Sequence, residues 1–169
     1  AVVAILGQQV SVAAARTIAT RLVRAFGEPV QTPIAGVDRA FPWPRVLLEA
    51  GEDALGALGI VRQRQTAIRS LANEVLAHRI QLHPGVDVAS TLAALTALPG
   101  VGDWTAQYIA MRALRWPDAF PSGDVALRKS LAVANAREAQ SLSQRWRPWR
   151  SYAVLRAWQR LSFAQEKWK

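Results

Sequence analysis

Apolar residues recur at helical spacing along nearly the whole chain, and most breaks in that rhythm carry glycine or proline. Val2 to Leu6 reads as the end of an apolar helix, broken at Gly7-Gln8-Gln9. Ser11 is placed to cap a second helix reaching Phe26, which Gly27-Glu28-Pro29 stops. Residues 30–44 read as loop, with Phe41 and Trp43 pinned to the core. Short helices are expected from Arg45 and Asp53, then a turn at Gly59 and a longer amphipathic helix from Gln63 to Arg79. Asp87 caps the next, which runs to Leu98-Pro99-Gly100, and a further helix spans Asp103 to Trp116. After a loop at 117–123, helices are expected at 124–134, 138–145 and 148–163. No stretch alternates with the period of a strand, so the fold class is all-α. Two small helical subdomains are expected, about 1–116 and 117–169.

The chain carries a net charge of +9 and a pI near 11.3. That balance calls for a polyanionic partner, whether DNA, RNA or an anionic membrane. Arginine supplies most of it, Lys129, Lys167 and Lys169 being the lysines, and arginine forks grip phosphate and stack on flat rings. Cysteine is absent, which excludes disulfides, thiolate metal sites and cysteine nucleophiles. His78 and His83, at a helix end and in a Pro/Gly turn, read as surface residues. No apolar run approaches the roughly 18 residues of a membrane span, and no signal peptide is visible, so a soluble intracellular protein is expected. Ala1 already lies within an apolar segment, which suggests a piece lacking an N-terminal portion.

The most informative stretch is Leu98-Pro99-Gly100-Val101-Gly102 between two helices. Glycines one residue apart let the backbone turn sharply and approach another molecule closely. The amides of Val101, Gly102 and Asp103 would then face outward at a helix start, where free N–H groups make a phosphate site. The competing reading is a tight turn with no ligand, and the basic chain favours DNA. Leu58-Gly59-Ile60 opens onto a similar but glycine-poorer unit, read as packing.

The run Leu98-Pro99-Gly100-Val101-Gly102-Asp103-Trp104-Thr105-Ala106, with Asp124 beyond a proline-containing loop, resembles the helix-hairpin-helix DNA glycosylases. Within them it is most similar to the alkylbase glycosylases of the 3-methyladenine DNA glycosylase II type. Ile5-Leu6-Gly7-Gln8-Gln9-Val10-Ser11-Val12-Ala13 and Arg147-Pro148-Trp149-Arg150-Ser151-Tyr152-Ala153 carry the same likeness at either end. The resemblance implies a DNA-binding cleft between two helical subdomains, and a monomer acting on damaged duplex DNA in the bacterial cytoplasm near the nucleoid. It also implies an N-terminal β-rich domain that this chain lacks. No cofactor is required, although the family's hairpin carbonyls, here of Thr96, Leu98 and Val101, can hold a monovalent cation.

On the same grounds Asp124 is the catalytic carboxylate. Cleaving a glycosidic bond builds positive charge on the sugar, which a buried carboxylate stabilises while it manages a water. The alternative is that Asp124 only caps the helix that follows; both roles are compatible, since a helix N-terminus favours negative charge. Bifunctional relatives carry a lysine nucleophile where this chain has Trp104, so a monofunctional enzyme is expected. Trp104 is read as the face that attracts a cationic alkylated purine, with Tyr108 one turn on and Trp158 completing the pocket. Trp146 and Trp149 are read as packing. Gln8 and Gln9 occupy the turn from which relatives insert a wedge into duplex DNA, and Gly100, Val101, Gly102 and Thr105 complete the DNA contact. Arg150, near a helix start, is a candidate to contact phosphate or brace the Asp124 loop, but as a lone arginine it reads first as an ion-paired or solvated surface residue. A non-catalytic DNA-binding module, or a glycosylase for other damaged bases, is the competing function.

Overall fold

The computed structural model describes the backbone of residues 1–166 and side chains through 161. Ten α-helices and one 3-10 turn account for the regular structure, with no strand among the described residues beyond an isolated bridge between Pro29 and Arg39. The helices are α1 (Val2–Leu6), α2 (Val12–Phe26), α3 (Pro44–Glu49), α4 (Glu52–Ala57), α5 (Arg62–Leu76), α6 (Val88–Thr96), α7 (Asp103–Arg112), α8 (Val125–Leu131), α9 (Ala136–Ser143) and α10 (Arg150–Glu166). The all-α expectation is met, and no helix is long and apolar enough to cross a membrane among the described residues.

Local chemistry sets the boundaries. The Ser11 side chain accepts from the Ala14 amide at the start of α2, as expected of a cap. Asp87 Oδ1 takes the Ser90 amide at 2.7 Å before α6. Asn135 caps α9 through the Glu138 amide, two residues earlier than the sequence pattern suggested. α7 stops at Arg112 instead of Trp116 because Arg115 turns left-handed, φ 55°, and the Trp116 amide reaches back to the Ala110 carbonyl at 3.0 Å.

The chain divides into two compact units, residues 1–82 with 93–101, and 83–92 with 102–169. This differs from the expected division at 116: α7 belongs with the second unit, to which its own side chains are bonded. In the first unit α5 packs against α1, α3 and α4, burying Ile5, Leu6, Leu47, Leu55, Ile60 and Ile68. Phe41 and Trp43, expected in this core, are 41% and 61% exposed. Pro42 and Leu47 are buried instead. Trp43 sits at the cap position of α3, held extended before Pro44, and its indole reaches across the surface to Glu28 Oε2 at 3.2 Å. In the second unit α8 packs against α10 and α9, with Leu127, Val154, Ala157 and Ala139 buried.

Candidate active site

In the second unit, the loop at 117–123 delivers Asp124 to the N-cap of α8. That loop is anchored by the buried Ala119, Phe120 and Pro121 and fixed in detail by polar contacts. Arg150 at the start of α10 donates from Nε and one terminal nitrogen to the two Asp118 carboxylate oxygens, at 2.6 and 2.8 Å, and to the Asp118 carbonyl at 2.8 Å. Ser151 accepts from the Ala119 amide at 3.0 Å and donates to the Trp116 carbonyl at 2.8 Å, while its own amide donates to the Pro117 carbonyl. Gln107 of α7 accepts from the Phe120 amide at 3.1 Å, and the Asp124 amide closes the turn onto the Pro121 carbonyl. Burial pushes the Asp118 carboxyl up, but the hydrogen bonds and charge of Arg150, with Arg147 at 3.7 Å, outweigh it and hold Asp118 below its ordinary value. Arg150 is therefore an ion-paired brace of the loop, the second of the roles open to it, and at 5% exposed it is buried instead of lying at the surface as first expected.

Asp124 is half-buried and receives three N–H groups. Its Oδ1 accepts from the Leu127 amide at 2.5 Å and from the Trp158 indole at 3.1 Å. Its Oδ2 accepts from the Trp104 indole at 2.7 Å. Tyr108 lies between the two tryptophans, stacked on Trp104 with centroids 5.5 Å apart and tilted against Trp158 at 5.9 Å. The four residues expected as catalytic group and pocket are thus together. Capping and presentation coincide in Asp124, as the sequence allowed. What the sequence reading missed is that the tryptophans hold the carboxylate by their N–H groups. The signal was their identity, since only indole among the large aromatic rings of Trp, Tyr and Phe presents a ring N–H donor.

The hairpin is more structural than expected. Gly100 is left-handed, φ 77°, and a Cβ there would stand 3.3 Å from Ala67 Cβ and 3.4 Å from the Gln63 carbonyl, so this glycine serves the close approach of α5. Its carbonyl accepts from Gln8 Nε2 at 2.8 Å, and the Gln8 carbonyl accepts from Arg64 at 2.5 Å, so Gln8 ties the turn after α1 to the hairpin. Val101 is 4% exposed and its amide donates to the Leu98 carbonyl at 3.1 Å, which removes it from the outward-facing set. Thr105, 2% exposed, is likewise withdrawn from an outward contact because it faces the interior of its unit. Gly102 is exposed, caps α7, and has nothing within 4 Å of a built Cβ. Gln9 is exposed and left-handed, φ 53°, a conformation that costs a non-glycine residue about 1–2 kcal/mol.

Two substitutions separate these glycines. Gly100→Ala should destabilise the fold by about 1–2 kcal/mol, read by denaturant unfolding, because φ must stay positive. Gly102→Ala, with φ −89° and open space, should change stability by less than about 1 kcal/mol.

The backbone carbonyls of Thr96, Leu98 and Val101 are neutral oxygens, a donor type that fits a monovalent cation, whereas divalent ions usually recruit carboxylates. The Leu98 carbonyl shares itself with the Val101 amide. No group of three acidic or histidine residues fit for a metal occurs among the described residues.

Residues 2–149 match the family described as HhH-GPD superfamily base excision DNA repair protein. The chain belongs to the HhH-GPD superfamily. It is 42% identical, over 99% of its own length and 34% of the relative's, to a probable bifunctional transcriptional activator/DNA repair enzyme AlkA of Mycobacterium tuberculosis. It is 35% identical to DNA-3-methyladenine glycosylase 2 of Escherichia coli, over 92% of the chain and 54% of that protein. This HhH-GPD chain thus spans between about a third and about half the length of these curated relatives. Among solved structures it superposes on the 3-methyladenine DNA-glycosylase of Archaeoglobus fulgidus with a TM-score of 0.83 at 23% identity, over 96% of this chain and 57% of that one. That likeness shows the shared fold.

Proposed function

We propose that this HhH-GPD protein is a monofunctional DNA glycosylase that flips alkylated purines out of duplex DNA and hydrolyses their glycosidic bond. The observation that carries the reading is the Asp124 carboxylate, gripped by two indole N–H groups beside three clustered aromatic rings. A base stacked in a duplex is out of reach of any side chain, so the nucleotide must rotate into the pocket. The Trp104 face not covered by Tyr108 attracts a ring made cationic by alkylation, an attraction of about 2 kcal/mol when desolvated.

The bond from sugar C1′ to the base nitrogen breaks with both electrons leaving on the base, which departs neutral. Asp124 faces the resulting sugar cation. Oδ1 is occupied by two donors, whereas Oδ2 receives only the Trp104 indole among the described residues and so offers its remaining lone pair to a water. That water adds to C1′ and releases its proton through Asp124 to solvent. With tryptophan at 104 no lysine amine attacks the sugar from this position, so the product is an abasic site in an intact strand.

Gly102 supplies an open amide at the start of α7 for a phosphate of the flanking strand. Gln9 supplies the exposed tip that fills the gap left by the flipped base, its left-handed backbone being the kind of local strain that persists at functional positions. The carbonyls of Thr96, Leu98 and Val101 would hold a monovalent cation that supports the hairpin, and no step passes through it. The partner is damaged duplex DNA, met by a cytoplasmic monomer.

The relatives' names, which include 3-methyladenine glycosylases, support the lesion class. The test is release of 7-methylguanine, 3-methyladenine and hypoxanthine from duplex DNA. Trp104→Phe keeps a ring but removes the donor to Asp124, so turnover of every base should fall. Trp104→Ala should penalise the two cationic bases more than hypoxanthine. An equal loss across all three bases in the alanine variant removes cation attraction from the account.

A further inference from the structure

Helix α10 has two faces of different character. Arg150, Ser151, Val154 and Ala157 are buried, while Tyr152 and Trp149, the residue just before the helix, are 61% and 58% exposed and Leu155 is exposed too. Trp149 was expected to pack; instead its ring meets Tyr152 edge-on, with centroids 5.9 Å apart. At 3.6 residues per turn Tyr152 lies about 120° around the helix from Trp158, so this aromatic pair is apart from the rings at Asp124. Two large rings in solvent at one helix end serve no packing purpose in this unit.

The surrounding charge selects a partner. Between Glu138 and Glu166 there is no acidic residue, and although Asp118 engages Arg150 and Arg147, the exposed Arg145, Arg156 and Arg160 fall in that interval as well. Arg156 and Arg160 are exposed and follow Tyr152 at successive helical turns. An apolar protein partner would strip water from these cations without repaying them. A membrane-surface helix needs a broad apolar face, and the apolar stripe of α10 is already buried in its own unit. Aromatic rings interleaved with arginines on a surface fit nucleic acid, rings meeting base faces and guanidinium groups meeting phosphates. A duplex shows few base faces along its sides, whereas an unpaired strand shows every one.

We infer that the Trp149–Tyr152 pair at the start of α10 is an accessory site for an unpaired nucleic-acid strand, stacking on its bases while Arg156 and Arg160 hold its phosphates. It shares with the proposed function only the assumption that the chain meets nucleic acid.

The test is fluorescence anisotropy with a labelled oligo-dT, which carries no purine and no lesion. Trp149→Ala/Tyr152→Ala should weaken oligo-dT binding at least tenfold, as loss of a stacking ring implies. Its melting temperature, duplex affinity and base release should stay at wild-type values, and Asp124→Asn should bind oligo-dT as wild type does. Arg156→Glu, which keeps both rings, should weaken binding and flatten its salt dependence. Undiminished oligo-dT binding by the double alanine variant overturns the inference. So does a loss of binding to phosphatidylglycerol vesicles with oligo-dT binding intact, which would make the face a membrane contact. If wild type releases no base yet shows this ring-dependent oligo-dT binding, the proposed reaction fails and the accessory site stands.

Discussion

Asp124→Asn should slow base release by about 10²- to 10³-fold, the range seen when a group aimed at developing charge is removed. The reason lies in the three N–H groups that meet this carboxylate. Asparagine keeps one oxygen for the Leu127 amide and the Trp158 indole, and it is itself a good N-cap, so α8 should form. Its amide nitrogen, however, must then face the Trp104 indole, donor against donor. A part-buried donor left unmatched costs about 1–3 kcal/mol, so Trp104 should also shift. Single-turnover release from a 7-methylguanine duplex measures the rate, and duplex affinity should change much less. Full activity in this variant would reduce Asp124 to a helix cap.

Arg150→Ala should have the largest effect on stability, about 3–5 kcal/mol, because it strands the buried Asp118 carboxylate. For a chain of this size that corresponds to a fall in melting temperature of roughly 6–20 °C. The same substitution frees the Asp118 carbonyl and loosens the loop that delivers Asp124, so base release should drop along with stability. Acid should act on the same pair. Asp118 is held below its ordinary value of 3.8, so its contribution is fully present above that value and is lost as the pH falls through the lower folded one. Asp118→Asn should therefore remove part of the wild-type loss of stability in acid, read from melting temperatures taken down the pH scale.

Features set by neighbouring residues were open to sequence reasoning. Ser11, Asp87 and Asp124 announce helix starts because a cap needs only its own side chain and an amide three residues on. Tyr108 joins Trp104 for the same reason, being one helical turn away. Features set by distant residues were not. Arg150 meets Asp118 across 32 positions, and nothing in either neighbourhood marks the pair. Gly100 looked like a glycine kept small for a ligand, yet it is Ala67 and Gln63, on α5, that crowd it. Trp158 entered the reading through family resemblance, and its N–H bond to Asp124 emerged only in three dimensions. Aromatic character misled three times, at Phe41, Trp43 and Trp149, since size favours burial on average but a loop, a proline-bound cap position or a helix end can leave a ring outside.

The proposed reaction is hydrolysis managed by Asp124 without a lysine nucleophile. The most direct measurement is product analysis on duplex DNA containing 7-methylguanine, with borohydride present in a parallel reaction. The expected products are free 7-methylguanine and a strand that breaks only after alkali, with no borohydride-trapped protein–DNA adduct. A trapped adduct, strand cleavage without alkali, or tight duplex binding with no base released would contradict the proposed reaction.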